Sequence, residues 1–393
     1  MECNFPRQVH NIGRHSNTLY LVLIQHHATT IPTYRGPFLS RKHKYYSVAA
    51  TAQWFLEGQR WYGAKGFKKA AASFAPGDID VDMSSKVACV TGANSGIGYC
   101  AAKALAERRC TVHMLCRNKA RGEEARARLS AETGNEEVHL HVVDVSDFRQ
   151  VETFAGSFLV SNPRLDVLVN NAGGMPATRM LSAQGREAIM ATMMGGTYLL
   201  TKLLLPALEK AASDAVAPPP AIPSAAGGGS VGGAGAGARV INVSSGGMYT
   251  VSGAGIADDI DSEGVKPYDG TIVYALAKRA QVTLTERWAA FYKDKSINVA
   301  FNSMHPGWCD TPGLQSGMPD FREKQKSSLR SSEEGGDTIV WLACSEAARG
   351  ETGKFWFDRK ATRTHMPLAG TKMSEAQEEA LREAAERVCS DTT

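Results

Sequence analysis

Tyr274 and Lys278 stand at the ends of the run Tyr274-Ala275-Leu276-Ala277-Lys278. On a helix, positions i and i+4 share a face, so an ammonium would lie beside a phenol. A free phenol ionises near pH ~10, and an adjacent cation favours the phenolate and lowers that value. Such a pair can exchange a proton with the oxygen of a carbonyl or an alcohol. The spacing alone is common on any helix. It gains weight from Asn242-Val243-Ser244-Ser245, which closes an apolar run and puts a hydroxyl where it can bond the reacting oxygen.

A second constellation reads as a phosphate cradle. Thr91-Gly92-Ala93-Asn94-Ser95-Gly96-Ile97-Gly98 joins an apolar strand-like run to an Ala-rich helical pattern. Glycine admits the backbone close to a pyrophosphate, and a helix start offers free N–H groups and partial positive charge. Strand before and helix after is the context that separates a dinucleotide loop from an ordinary turn. The next apolar run ends Leu115-Cys116-Arg117-Asn118. An acid at that place suits the ribose hydroxyls of NAD; an Arg suits the 2′-phosphate of NADP. The chain has Arg117 and no acid, which predicts NADP(H). A solvated surface Arg is the plain alternative.

The elements that must hold these groups alternate. Apolar runs at Lys86–Thr91, Thr111–Cys116, Val138–Val143, Leu165–Val169, Arg239–Val243, Ile297–Phe301 and Lys354–Phe357 read as strands. Helical patterns fall between them, at 97–108, 119–132, 148–160, about 185–210, 273–291 and 333–344. The prediction is α/β: a doubly wound, mostly parallel seven-stranded sheet with helices on both faces. Residues 45–80 form an aromatic-rich helical extension, with Tyr45, Tyr46, Trp54, Phe55, Trp61, Tyr62 and Phe67 at partly helical spacing. Packing on the enzyme body is the bland reading of that stripe; peripheral contact of residues 45–75 with a membrane surface is the other. The main domain spans 81–373, and 374–393 form a C-terminal helix and tail. Residues 212–238 carry Pro218-Pro219-Pro220 and a Gly/Ala/Ser run, with almost nothing apolar and large to bury, and read as a disordered insertion.

Composition frames the rest. The chain has 393 residues, 43% hydrophobic and 21% charged, ordinary for a globular protein. The net charge of +4 is too small to argue for nucleic acid, and it belongs to the leader, where six Lys/Arg face one acid within residues 1–50. Eight scattered cysteines without a Cys-x-x-Cys pair read as reduced thiols, with neither a disulfide framework nor a metal site. No uninterrupted run of about 18 apolar residues predicts a membrane helix. The leader, 1–44, is acid-poor and holds Arg, Ser and Thr, so it reads either as an organelle transit peptide or as an untargeted extension. The compartment is correspondingly cytoplasmic, or a mitochondrial or plastid matrix.

Together these parts resemble the short-chain dehydrogenase/reductase family, over about Ser85 to Phe357. Thr91–Gly98 is similar to the family's Thr-Gly-x-x-x-Gly-x-Gly loop, and Asn170-Asn171-Ala172-Gly173 to its Asn-Asn-Ala-Gly motif. His305-Pro306-Gly307 resembles its Pro-Gly turn. The resemblance implies a Rossmann fold and a carbonyl/alcohol oxidoreductase. It assigns Ser245, Tyr274 and Lys278 as catalytic. It assigns Gly92, Asn94, Ser95, Gly96, Ile97, Gly98, Arg117, Asn118, Asp144, Val145, Asn171, Ala172, Gly173, Tyr274, Lys278, Pro306, Gly307 and Thr311 to the cofactor, Asp144 toward adenine and Thr311 toward the nicotinamide amide. Further segments, among them Asp269–Tyr274, Leu284–Ala289, Met304–Trp308 and Phe357-Asp358-Arg359, resemble an orphan group in that family, the member-twelve group, which has no settled substrate.

Two departures stand out. Family members carry an Asn in the long helix that holds a proton-relay water; here that position is Met193, whose thioether cannot orient a water as an amide does. Tyr274 follows Ser245 by 29 positions, and the loop between them holds Asp258-Asp259-Ile260-Asp261. That loop is expected at the rim of the substrate pocket. Its length resembles the retinol-dehydrogenase branch and suggests a bulky lipophilic substrate. Met193 motivates the alternative, a catalytically weak nucleotide-binding protein with a sensing or interaction role.

Overall fold

The computed structural model describes residues 45–75, 77–214, 237–293, 295, 298–367 and 369–390. The leader and most of the 212–238 insertion lie outside them. Eight strands form one sheet: β1 (Val87–Thr91), β2 (Thr111–Cys116), β3 (Val138–Val142), β4 (Val167–Asn170), β5 (Ala238–Val243), β6 (Val299–Met304), β7 (Phe355–Phe357) and β8 (Lys360–Thr362). Their spatial order is β3-β2-β1-β4-β5-β6-β7-β8. β1 to β7 pair in parallel, and β4, β5 and β6 are buried along their full length, including the polar Asn170, Arg239, Asn242, Asn302 and Ser303.

The sequence predicts seven strands; the eighth is antiparallel to β7. A two-residue turn, Asp358-Arg359, makes that hairpin with φ of 48° and 59°. Neither residue is the Gly or Asn that announces such a turn. The turn is held from outside instead. Arg330 grips the Asp358 carboxylate at 2.6 and 2.9 Å, and Asp337 accepts from Arg359 at 2.8 and 2.6 Å.

Helices cover both faces. On one side α3 (Gly96–Glu107), α4 (Lys119–Thr133) and α10 (Ser332–Cys344) bury Leu105, Leu129 and Ile339 with the apolar residues of β1 and β2. On the other, α5 (Phe148–Ser161), α6 (Ala188–Asp214) and α7 (Gly270–Lys293) bury Phe148, Leu200 and Leu276. The C-terminal α11 (Glu375–Ser390) packs there too, through Leu381 and Val388. Helix α6 is long and apolar enough to cross a membrane by composition, yet 72% of its most apolar window is buried inside the protein. Within it Ala191–Gly196 form a wider π turn. α6 runs on to Asp214 with Ala211 and Ala212 buried, and Ala238 is already in β5. The insertion's expected ends at 212 and 238 therefore belong to the core.

The predicted helical extension is two helices, α1 (Val48–Trp61) and α2 (Ala64–Ala71), broken at Tyr62-Gly63. Ser47 caps α1, accepting from the Ala50 N–H at 3.2 Å. Trp54 and Tyr62 are core, while Phe55 stays 38% exposed: Trp54 lies edge-on to Trp308 at 5.7 Å, and Tyr62 meets Trp308 and His305 at 5.8 and 4.9 Å. Two short helices, α8 (Pro312–Gly317) and α9 (Pro319–Gln325), complete the fold beyond β6.

Candidate active site

The strand order reverses between β1 and β4, and the crevice at their carboxyl ends is where open α/β sheets bind ligands. Both predicted loops converge there. The Thr91 hydroxyl accepts from the N–H groups of Asn171 and Ala172 at 2.9 and 2.8 Å, and the Asn171 amide donates to the Thr91 carbonyl at 2.9 Å. A side chain at Gly98 would lie 2.4 Å from the Asn171 amide nitrogen, and Gly92 has φ of 66° with Ala172 against it. So the glycines and Asn171 form one interlocked cradle, with Ser95 opening α3. Thr311 closes over it: its side chain lies 3.8 Å from where a Cβ on Gly96 would be. The Thr311 hydroxyl also caps α8, accepting from Leu314 N–H at 3.2 Å.

Arg117 stands at the mouth with its side chain 76% exposed, and Nε lies 3.8 Å from Asp144. The Asp144 carboxylate accepts from Ser146 N–H and Oγ at 2.9 and 2.7 Å, which fixes the turn after β3. Val145 follows it, buried, with its carbonyl 1.9 Å from where a Cβ on Gly196 would sit, so the turn after β3 and α6 touch through a glycine. Asn118 caps α4, accepting from Arg121 N–H at 3.0 Å. Cradle, exposed guanidinium and helix start fit a dinucleotide.

Ser245, Tyr274 and Lys278 meet at the tip of β5. Ser245 hydrogen-bonds the Tyr274 phenol, and its Oγ also accepts from Gly247 N–H at 3.1 Å. The Lys278 amine lies 5.5 Å from the centre of the Tyr274 ring. The electrostatics differ from the sequence expectation. Burial raises the Tyr274 pKa above 10.0, and the Ser245 hydrogen bond only partly offsets it. Burial also lowers Lys278, to about 7. Desolvation of both groups outweighs the ammonium's pull on the phenol.

Lys278 donates to the Val243 carbonyl at 2.6 Å and to the side chain of Gln281 at 3.0 Å. Gln281 was not among the sequence candidates, although it lies one turn beyond the Lys on the same face. Met193 is fully buried with its methyl beneath Gly173, where a Cβ would meet it at 2.6 Å. The turn at Pro306-Gly307 also has a partner the sequence hid. Gly307 has φ of 81° and Arg330 lies 2.6 Å from its Cβ position, while Arg330 donates to the Pro306 carbonyl at 3.3 Å. His305 is a packing residue: buried neutral, stacked on Phe357 at 4.1 Å, with Nδ1 accepting from Gly307 N–H. In the acidic loop, Asp259 accepts from Tyr45 at 2.8 Å, and Asp261 accepts from Arg186 and Glu187 N–H at 2.9 and 3.1 Å. Both carboxylates pin the loop to the extension and to the approach of α6.

Such a crevice, closed by a Ser, a Tyr and a Lys, defines a class of nucleotide-dependent oxidoreductases. The family model for short chain dehydrogenases matches residues 86–217. Dehydrogenase/reductase SDR family member 12 of Homo sapiens is 40% identical over 343 residues, covering 87% of this chain and 98% of that protein. Retinol dehydrogenase 12 of Bos taurus is 30% identical over 285 residues, covering 72% and 81%. Among solved structures, the Pseudomonas aeruginosa RhlG/NADP active-site complex aligns with a TM-score of 0.53 at 21% identity, over 76% of this chain and 98% of that one. The chain belongs to the short-chain dehydrogenase/reductase family, whose members are NAD(P)-linked oxidoreductases.

Proposed function

We propose that this chain is an NADP(H)-dependent oxidoreductase that interconverts a lipophilic carbonyl compound and its alcohol, with Tyr274 as general acid and base. The convergence of the Ser245 hydroxyl, the Tyr274 phenol and the buried Lys278 amine at the mouth of the nucleotide crevice carries the reading. Gly92, Asn94, Ser95, Gly96, Ile97 and Gly98 would hold the pyrophosphate, and Asn171, Ala172 and Gly173 would line the crevice's other wall. Pro306, Gly307 and Thr311 would flank the nicotinamide. Asp144 and Val145 would meet the adenine, and Arg117 with Asn118 the 2′-phosphate. The bound nucleotide supplies or accepts the hydride. Ser245 orients the substrate oxygen. In reduction Tyr274 donates its proton to that oxygen, and in oxidation it takes the proton back. A protonated Lys278 stabilises the phenolate left behind. The retinol dehydrogenases among the relatives favour a long apolar substrate.

NADPH oxidation by the purified protein against aldehydes, ketones and quinones, retinal among them, tests the reading. Tyr274→Phe should lower turnover by about 10²–10⁴-fold while nucleotide affinity changes little. A Tyr274→Phe protein with full activity would remove the mechanism and leave the fold.

A further inference from the structure

Lys278 is a buried amine, 3% exposed. Its side chain sits among β5, α6 and its own helix α7. β5 offers the Val243 carbonyl, α7 offers the Gln281 side chain, and among the described residues Tyr274 is the titratable group beside it. No charged side chain contributes to its lowered basicity; burial is the whole cause. Any side-chain acceptor it has therefore matters.

Gln281 is 1% exposed, and its position is enforced from both ends. Its Oε1 takes the Lys278 amine at 3.0 Å, and its Nε2 donates to the Thr197 hydroxyl at 3.5 Å. The Gln281 backbone carbonyl accepts from Thr285 Oγ1 at 2.6 Å, Thr285 accepts from Asn242 at 2.8 Å, and Asn242 accepts from Asn170 at 2.9 Å. Asn170 also donates to Thr201 at 3.0 Å. This polar seam runs through the core between β4, β5, α6 and α7. A small cavity of about 10 Å³ lies in it, lined by Met193, Thr197, Thr201, Asn242 and Gln281 among others. That volume is on the scale of one water. Beside it the buried Asn170 Oδ1 has no hydrogen-bond partner, although both groups that Asn170 donates to line the cavity.

We propose that Gln281 is the positioning residue of this active site: it holds the Lys278 amine through its carbonyl and continues through its amide to Thr197 and one water in the adjoining cavity, where Met193 offers only a thioether. This rests on the reading of Tyr274 and Lys278 given above. No covalent step is added. The amide fixes where the ammonium stands and favours its protonated form by giving it an acceptor in a site with few.

The test reads Lys278 directly. In full-length protein labelled with ¹³Cε-lysine, the Lys278 resonance is assigned by its loss in Lys278→Met and titrated with pH. Gln281→Leu removes the acceptor and should move the midpoint down; Gln281→Glu supplies a carboxylate and should move it up. Turnover of Gln281→Leu, with the best substrate of the panel, should fall by about 10-fold or more with NADPH affinity within about twofold, and its pH profile should shift with the resonance. Thr197→Val, a milder change, should move the midpoint the same way as Gln281→Leu and by less. Midpoints that coincide in wild type, Gln281→Leu and Gln281→Glu would overturn the proposal, as would a loss of turnover with an unmoved pH profile. If Tyr274→Phe keeps full turnover while the midpoints shift as described, the mechanism fails and the positioning of Lys278 stands.

Discussion

Single side chains carry sharp consequences here because Lys278 and Gln281 are buried. Lys278 ionises at about 7 in the folded protein against a reference of 10.5. Between those values the unfolded chain holds the extra proton, so native stability rises with pH across that window. Lys278→Met removes the titration. The melting temperature of wild type relative to that variant should therefore climb from pH 7 to 10, and a flat difference would show that the amine is not depressed. At the crevice mouth, Arg117 is exposed enough to be spared for a phosphate. NADP(H) should bind at least tenfold more tightly than NAD(H), a difference of ~1.4 kcal/mol, and Arg117→Ala should narrow it; calorimetry with both nucleotides decides. The glycine loop, Ser245, Tyr274 and Lys278 were legible because each follows a strand or shares a helix face, and local spacing encodes both facts. Gln281 and Arg330 were not. One is an amide in a helix of mixed character, and the other reaches Pro306 and Asp358 across 24 and 28 positions of sequence.

Elements were legible where period and flanking turns agree. The six strands from β1 to β6 fall within a few residues of their predicted places, as do the helices between them. The break between α1 and α2 and the β7–β8 hairpin were missed because tertiary contacts set both. In the first, Gly66 packs on the Trp61 carbonyl and the Ala64 N–H donates to Ser328. The extension itself buttresses the site: a Cβ on Gly246, next to Ser245, would lie 3.0 Å from the Trp54 indole nitrogen. Trp54→Ala should cost about 3–5 kcal/mol in denaturant unfolding, the range for emptying a buried indole site, and should weaken turnover through the Ser245 turn. An unfolding midpoint equal to wild type would mean that α1 is an appendage.

At the scale of the molecule, the described residues on either side of 215–236 already belong to the core. α6 ends at Asp214 and β5 starts at Ala238, so the boundary is set by burial of Ala211, Ala212 and Ala238. Replacing 215–236 with a short Gly/Ser linker should leave the melting temperature and NADPH affinity unchanged. Replacing 212–238 should lower the melting temperature, because it removes those core alanines. Equal loss in both variants would show that the connecting segment contributes to the core. Composition alone misplaced the ends, since a helix that finishes in Ala-Ala-Ser-Asp carries the same small residues as the sequence that follows it.

Trp308 follows the Pro306-Gly307 turn and is wedged between Trp54, Tyr62 and Phe321, with centroids at 5.7, 5.8 and 5.1 Å. Neither its indole N–H nor that of Trp54 has a hydrogen-bond partner, and both rings are largely shielded from water. The pair is thus a built-in optical probe, with emission set toward the blue and sensitive to any displacement of the turn against α1. With the other four tryptophans, Trp61, Trp288, Trp341 and Trp356, replaced by Phe, the emission of the remaining pair on adding NADP+ should report whether that turn shifts when the crevice fills, before any substrate has been identified.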